Sequence, residues 1–317
     1  MTLTVLFAAS PLNPKEVDDS YADEYRCAQA AGLFVGLIDL DPLLLGASPQ
    51  QAVKRLSRPD SCEPGPALYR GWMLRPGDYT RLYEALLTRN LRLINSPQQY
   101  VHTHYLPESY PKIKGVTPES VWFPVTDRTA VEEAGSQAVE AVRRFGDRPI
   151  IVKDYVKSRK HEWTEACYIP DASDQGRVRQ TVRRLLELQG AEFSEGLVFR
   201  AFEELEALSL HPQSGMPLSR EIRVFVLDGE PVFVSTYWEA GEDAAFNERL
   251  GEFEDIIKSV QSRFFTIDFA KTKKEPWIVL ELGDGQVAGL PDDTPPELFY
   301  GKLKQQWDST DQPMDGS

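Results

Sequence analysis

The period of the apolar positions changes several times along the chain, and each change marks an element. Residues 3–9 (LTVLFAA) are a strand-like run, DSYADEYRCAQAAG carries apolar residues at helical spacing up to a glycine stop at Gly32, and LFVGLIDL returns to strand. Together they predict a βαβ unit. After a loop rich in Pro and Ser from Ser48 to Pro66 come a short apolar run, ALYRGWML at 67–74, and an amphipathic helix, DYTRLYEALLTRN, with Asp78 as its expected N-cap. That helix leads to the strand-like LRLIN.

The pattern then changes character. Turn signals, aromatic residues and two histidines fill the stretch from Asn95 to about Val125, and a helix is predicted over 127–145. A strand (PIIVKDYV), an irregular stretch (SRKHEWTEACYIPDASDQG), a helix (RVRQTVRRLLELQG) and a strand (GLVFRAFEEL) follow. REIRVFVLDGEPVFVSTYW reads as a hairpin turning at Asp228-Gly229, a strong local signal for that structure. A helix (NERLGEFEDIIKSVQSR) precedes a last strand pair, FFTIDFAKT and PWIVLELG, and the final dozen residues read as a frayed acidic tail. Alternating elements give way to strand-rich ones, which predicts an α/β lobe followed by α+β lobes.

Composition narrows the class. With 317 residues, 41% hydrophobic and 26% charged, the chain has the make-up of a globular protein rather than a collagenous or disordered one. Forty-nine acidic against 35 basic residues give a net charge of -14, a field that repels phosphate backbones and anionic lipid. Neither a nucleic-acid nor a membrane partner is expected. No stretch approaches the roughly 18 apolar residues of a membrane span. Cys27, Cys62 and Cys167 are widely spaced and outside any zinc motif, which points to a reducing cytoplasm.

The chemistry concentrates where charges interrupt apolar strands. Asp268 lies between Ile and Phe, Glu281 between two Leu, and Asp284 follows in a Gly-rich turn. Burying such acids is costly unless they are paired or ligate a cation, and three hard oxygen donors on a hairpin suit Mg²⁺. The alternative is a half-exposed sheet with the acids turned to solvent. Lys153 breaks the run PIIV and is followed by Lys157 and Ser158, a placement suited to phosphate or, more simply, to a strand-end lysine reaching solvent. Arg223 occupies a similar position in REIRVFV, where on its own it would be a surface partner of Glu221. The strand LVFRAF runs into Glu203 and Glu204. It can offer backbone groups to a base edge and an acid to ribose hydroxyls, or be an ordinary edge strand entering a polar turn.

In this order the segments IVKDYVKS, LVFRAFEEL, EIRVFV, TIDFA and VLELGDG resemble the ATP-grasp superfamily. The resemblance covers most of the chain. It is strongest to small stand-alone bacterial and phage ATP-grasp proteins, distantly similar to the ligases that add glutamate to ribosomal protein tails. It implies an ATP-grasp fold of mixed α/β and α+β class: an N-terminal pre-ATP-grasp lobe over 1–95, a central subdomain over 96–200 with a lid loop at about 158–175, a C-terminal subdomain over 201–306 carrying the metal hairpin, and a flexible tail over 307–317.

By position in that fold, Lys153, with Lys157 and Ser158, would bind ATP phosphates, and Ala201, Phe202, Glu203 and Glu204 would hold adenine and ribose. Arg223 would stabilise the transferring phosphoryl group, and Asp268, Glu281 and Asp284 would hold one or two Mg²⁺. The implied activity is a carboxylate–amine or carboxylate–thiol ligase acting through an acyl phosphate on a small molecule, peptide or protein. A non-catalytic ATP-binding assembly factor and a small-molecule kinase are the rivals. Arg70, His161 and Trp163 are the substrate-side candidates, weighed against an Arg70–Trp72 stacking pair and a solvated loop histidine.

Three departures from the family pattern stand out. Gly283 occupies the place of an expected Asn, with Asp284 one residue later. The NS turn is followed by His102, His104 and Tyr105 rather than a lysine. The lid loop is not Gly-rich, leaving Ser158, Lys160 and His161 to close it.

Overall fold

The computed structural model describes residues 2–57, 63–210, 217–236, 243–274, 276–292 and 294–310. It divides into two compact units, each assembled from separated stretches of chain. Unit 1 comprises 1–103, 222–268 and 282–317, and unit 2 comprises 104–221 and 269–281.

Unit 1 opens with the expected βαβ motif. β1 (Thr4–Ala8) pairs in parallel with β2 (Phe34–Ile38), and the helix Ala22–Ala30 connects them. β3 (Gly65–Arg70) and β4 (Leu91–Leu93) extend the sheet in the order β2-β1-β3-β4. The helix between β3 and β4 starts at Pro76 with Arg75 at its N-cap, so Asp78, the expected N-cap, lies in its first turn. Proline suits the first helical turn because its missing N–H has no partner there in any case. The helix Pro97–His104 is fixed by a reciprocal cap, in which Ser96 N donates to Gln99 Oε1 and Gln99 N to Ser96 Oγ. His102 and His104 therefore lie on a helix, where a spacing of two does not align side chains as it does on a strand.

In unit 2, β5 (Ser120–Pro124), β6 (Ile150–Asp154), β7 (Tyr168–Ile169) and β8 (Gly196–Ala201) form an antiparallel sheet in the order β5-β8-β6-β7. One face packs Ile150, Val152, Leu197 and Phe199 against the helices Val131–Val142 and Gln175–Gln189. β8, for which an edge strand is one of the two readings above, is internal and bonded on both sides. β9 (Ala207–Leu210) and β10 (Pro217–Ser219) form a small separate pair.

The remaining sheet, β12-β11-β13-β14, is built from β11 (Glu221–Leu227), β12 (Glu230–Thr236), β13 (Phe264–Lys271) and β14 (Trp277–Asp284). The chain leaves unit 1 within β13 and returns to it within β14. Asp228 and Gly229 both have positive φ, 52° and 83°, as the two-residue hairpin requires. The single helix expected from 247 onward is instead three short helical pieces, Ala244–Asn247, Leu250–Phe253 and Glu254–Ser259.

The last helix runs from Pro296 to Thr310 with Trp307 buried, so residues 307–310 are helix rather than tail. Residues 311–317 and Cys62 lie outside the described residues. Among the described residues no helix is long and apolar enough to cross a membrane.

Candidate functional site

In unit 2, Lys153 lies on the face of β6 turned away from the helical core. Antiparallel register sets it opposite Val198 and sets Ile151 opposite Arg200, so Ile151, Lys153, Val198 and Arg200 share that face. Only 6% of the Lys153 side chain is exposed, and its Nζ lies 3.1 Å from Glu281 Oε2. His104 is buried, and burial together with the Lys157 and Lys153 charges pushes its imidazole down to about 4.

The loop after β6 is pinned by Asp154, whose carboxylate accepts from the amides of Val156, Lys157 and Ser194 and from Gln189 Nε2. This turn leaves Lys157 exposed and Ser158 half-buried.

The 201–204 segment continues out of β8. Ala201 N donates to Glu119 O and Phe202 N to Pro149 O, so those two amides are committed within the sheet's end. Neither amide is left over to read a base. Glu203 and Glu204 are exposed, and Glu204 pairs with Lys273 at 3.2 Å. The lid stretch contains a π-helical turn, Trp163–Cys167. Trp163 stacks on Tyr168 with ring centroids 5.3 Å apart, and Phe202 meets Tyr168 edge-on at 5.1 Å. His161 is exposed.

Sequence reasoning passed over Arg200, although an arginine inside the apolar run LVFRAF is the same signal that singled out Lys153. It is buried, Nη1 donates to Leu280 O at 2.6 Å and Nη2 to Thr117 Oγ1 at 2.8 Å. Its Nε is buried without a hydrogen-bond partner. Burial pushes its guanidinium down to about 10, and the Glu281 charge opposes that shift.

In unit 1, Arg223 holds Asp268 in a two-armed pair, Nε to Oδ1 at 2.9 Å and Nη2 to Oδ2 at 2.7 Å. Both side chains are largely buried, and Nη1 donates to Gly289 O. Such a fork-to-carboxylate geometry is the strong form of an ion pair.

Two expectations need correction. Asp284 has no exposed surface, and its oxygens accept from Asn95 Nδ2, Gln286 N and Gln286 Nε2. Burial lifts its carboxyl to about 6 against those hydrogen bonds. It is an interior acceptor of three hydrogen bonds with no exposed surface, and this does not fit a metal ligand. Gly283 is explained by the same packing, since a Cβ there would lie 2.7 Å from Thr266 Oγ1.

Arg70 is also interior rather than facing substrate. It forms two hydrogen bonds to Glu24, at 2.9 and 3.0 Å, and donates to the carbonyls of Gly285 and Ala288. Its aromatic neighbour is Phe299, not Trp72.

Asp268 and Glu281 retain the oxygen chemistry that Mg²⁺ takes. Among the described residues no group of three His, Cys, Asp or Glu side chains is gathered to hold a metal ion.

A chain with this order of sheets and these charged strand positions has the ATP-grasp fold, and the solved structures it matches agree. It is similar to a RimK-domain ATP-grasp protein from Sphaerobacter thermophilus DSM 20745 (12% identity, 96% of this chain and 98% of that one, TM-score 0.55). It is similar also to the D-cycloserine synthetase DcsG (12%, 96% and 99%, TM-score 0.56). A third match is the ATP-grasp ligase PsnB solved with a precursor peptide and AMPPNP (11%, 98% and 97%, TM-score 0.51). No curated protein matches the sequence. The model of an ATP-grasp domain family, the third family of its clade, matches residues 144–303, and the chain belongs to that family. The matched span contains Lys153, Arg200, Arg223, Asp268 and Glu281 and excludes Arg70.

Proposed function

We propose that the protein is an ATP- and Mg²⁺-dependent ligase that activates a carboxylate as its acyl phosphate and joins it to an amine or thiol. The observation that carries this reading is the pairing of charges. Each candidate phosphate cation is partnered by a candidate metal carboxylate, Lys153 by Glu281 and Arg223 by Asp268.

Those are the charges that a magnesium-bound triphosphate requires, held in neutral pairs in its absence. In unit 2, Lys153 would give its donors to phosphate oxygens and release Glu281 for a metal; in unit 1, Arg223 would do the same and release Asp268. When bound, Mg²⁺ would neutralise the phosphates and ease transfer of the γ-phosphoryl group. Arg223, a planar fork, suits the phosphoryl oxygens in transit, whereas Lys153 is a point charge for a resting phosphate. Lys157 and Ser158, on the loop pinned by Asp154, add donors beside Lys153. Glu203 and Glu204 are the acids available to ribose hydroxyls, with the apolar parts of Ala201 and Phe202 beside the base. His161 and Trp163 remain substrate-side candidates.

The DcsG and PsnB structures extend the range of candidate substrates from small molecules to peptides. With Asp284 withdrawn from the metal set, a second reading also has support: a nucleotide-binding protein that does not turn over. Mg²⁺-dependent turnover on a pool of amino acids and peptides decides between them. ADP and phosphate that appear only with an added amine or thiol, and are lost in Asp268→Asn and Glu281→Gln, are the expected result. Nucleotide binding without turnover on any pool overturns the ligase in favour of the binding protein.

A further inference from the structure

Unit 1 contains a cavity of about 670 Å³ that the proposed chemistry does not use. Three pieces of chain line it: the helix Pro97–His104, the hairpin turn Asp228-Gly229, and the segment 258–263 that leads into β13. It lies at the opposite end of β13 from the Arg223–Asp268 pair. Asp268 comes four residues after Phe264, about 13 Å along an extended strand.

The walls are tied to one another. Asn95, just ahead of the helix, donates from Nδ2 to Phe264 O and accepts at Oδ1 from Phe264 N, so the helix start is fixed to the start of β13. Asp228 N donates to Arg263 O at 2.6 Å, and Arg263 returns a fork to the Asp228 carboxylate, Nε and Nη2 at 2.7 and 2.8 Å. The Trp307 ring lies 5.6 Å from the same guanidinium. A ligand entering here meets walls that are already in place, which lowers the ordering cost of binding.

The lining has more donors than acceptors. Asp228 is the one acid among the described lining residues, and both its oxygens are engaged by Arg263. Arg263 retains Nη1 without a hydrogen bond among the described residues, and Lys258 uses its ammonium on Glu254 alone. Ser262 is 8% exposed, yet its hydroxyl has no partner, an arrangement that is costly unless something else supplies one. Gln98 and Gln261 add exposed amides.

A ligand with several anionic oxygens complements such a set. A carboxylate presents two oxygens, whereas a phosphate monoester presents three, one for each of the ammonium, the guanidinium and the hydroxyl. The volume is larger than a bare phosphate requires and falls within the roughly 300–1,000 Å³ of small-molecule sites, which leaves room for an organic body beside the amides.

We propose that this cavity is a binding site for a small organic phosphate monoester, with Lys258, Ser262 and Arg263 on the phosphate and Gln98 and Gln261 beside the organic body. It does not rest on the ATP-dependent reading above, and no residue assigned there takes part.

The test uses ¹⁵N TROSY NMR of the full chain in EDTA, titrated with glycerol 3-phosphate, with sodium chloride of equal ionic strength as the control. Saturable shifts of the Gly229 and Ser262 amides and of Arg263 Nε–H, absent with chloride, are the expected result. Shifts that do not saturate, or that chloride reproduces, overturn the site. Glycerate, the carboxylate counterpart, and inorganic phosphate should each bind at least about tenfold more weakly. Equal affinity for glycerate overturns the choice of phosphate, and equal affinity for inorganic phosphate overturns the organic body.

Lys258→Gln should weaken glycerol 3-phosphate by about tenfold and Ser262→Ala by about threefold. Lys258 is exposed and the Ser262 hydroxyl has no partner to lose, so both variants keep the fold, whereas Arg263→Met would also release the Asp228 turn. Saturable binding with unchanged affinity in both variants places the phosphate elsewhere and overturns the proposal.

Discussion

Replacing Arg70 by methionine should destabilise unit 1 without touching substrate binding. Its guanidinium is 1% exposed, and Glu24, its ion partner, is 11% exposed. Truncation strands that carboxylate, which also accepts from Tyr300 Oη at 2.7 Å, and leaves the Gly285 and Ala288 carbonyls without their donor. Removing one member of a buried pair typically costs 3–5 kcal/mol, and the lost carbonyl contacts overlap with that figure rather than adding to it, so about 4 kcal/mol is expected. Taking a urea slope of about 3 kcal/mol/M for a protein of this size, the unfolding midpoint should fall by ~1.3 M. The double variant Arg70→Met/Glu24→Leu removes the stranded charge and should recover part of the loss. A midpoint within about 0.3 M of wild type, together with a raised KM, would refute the interior assignment and return Arg70 to the substrate side.

Two further outcomes follow from the ion pairs and buried groups. In EDTA, Glu281→Gln should bind AMPPNP more tightly than wild type by roughly fivefold, because Lys153 no longer has to leave a half-exposed partner, and it should bind more weakly once Mg²⁺ is present; calorimetry showing a loss in both conditions would contradict the exchange. Acid should destabilise the fold through His104. Its folded pKa, about 4, lies below the unfolded value, so the stability it contributes is present above about pH 6.5 and lost as pH falls through 4, up to ~3 kcal/mol. Asp284 acts in the opposite direction: its carboxyl, raised to about 6, carries a penalty that lifts as pH falls toward 3.8. His104→Asn should therefore make urea midpoints less sensitive to acid than wild type between pH 6.5 and 4, and an unchanged profile would exclude His104 as the source.

What could be read from the sequence was what local pattern encodes. Strand and helix periods placed β1, β2, β6, β11 and β13 within a residue or two and β8 at its start only, its end falling four residues early, and an isolated charge in an apolar strand drew attention to Lys153, Arg223, Asp268 and Glu281. The identity of each partner could not be read this way, because Lys153 and Glu281 are 128 residues apart and no spacing rule reaches that far. Glu24 gave no signal for similar reasons: on an amphipathic helix it looks like a solvent-facing acid until Arg70 is packed against it. Asp284 misled because an aspartate between glycines reads as a turn former or a ligand, while its burial and its bond from Asn95, 189 residues away, cannot be read locally. The two readings of β8, one of them an edge strand, could not be separated because sheet order is set by long-range pairing, which a local run of apolar residues does not specify.

Corrected in this way, the three acids singled out on β13 and β14 do different work from what their shared spacing suggests. Asp284 is closed inside an amide network, and protonation would disturb Asn95 and Gln286 rather than a ligand. Asp268 is almost as buried, but its partner is a cation that could be exchanged for another. Glu281 combines a clamped backbone with a partly exposed carboxylate. A group that must release one partner and accept another needs a side chain free to move and a main chain that does not. Of these three acids, Glu281 has both. Substitution there should separate charge exchange from folding most cleanly, whereas Asp284→Asn should lower stability first, because the new amide would direct a donor at Asn95 Nδ2.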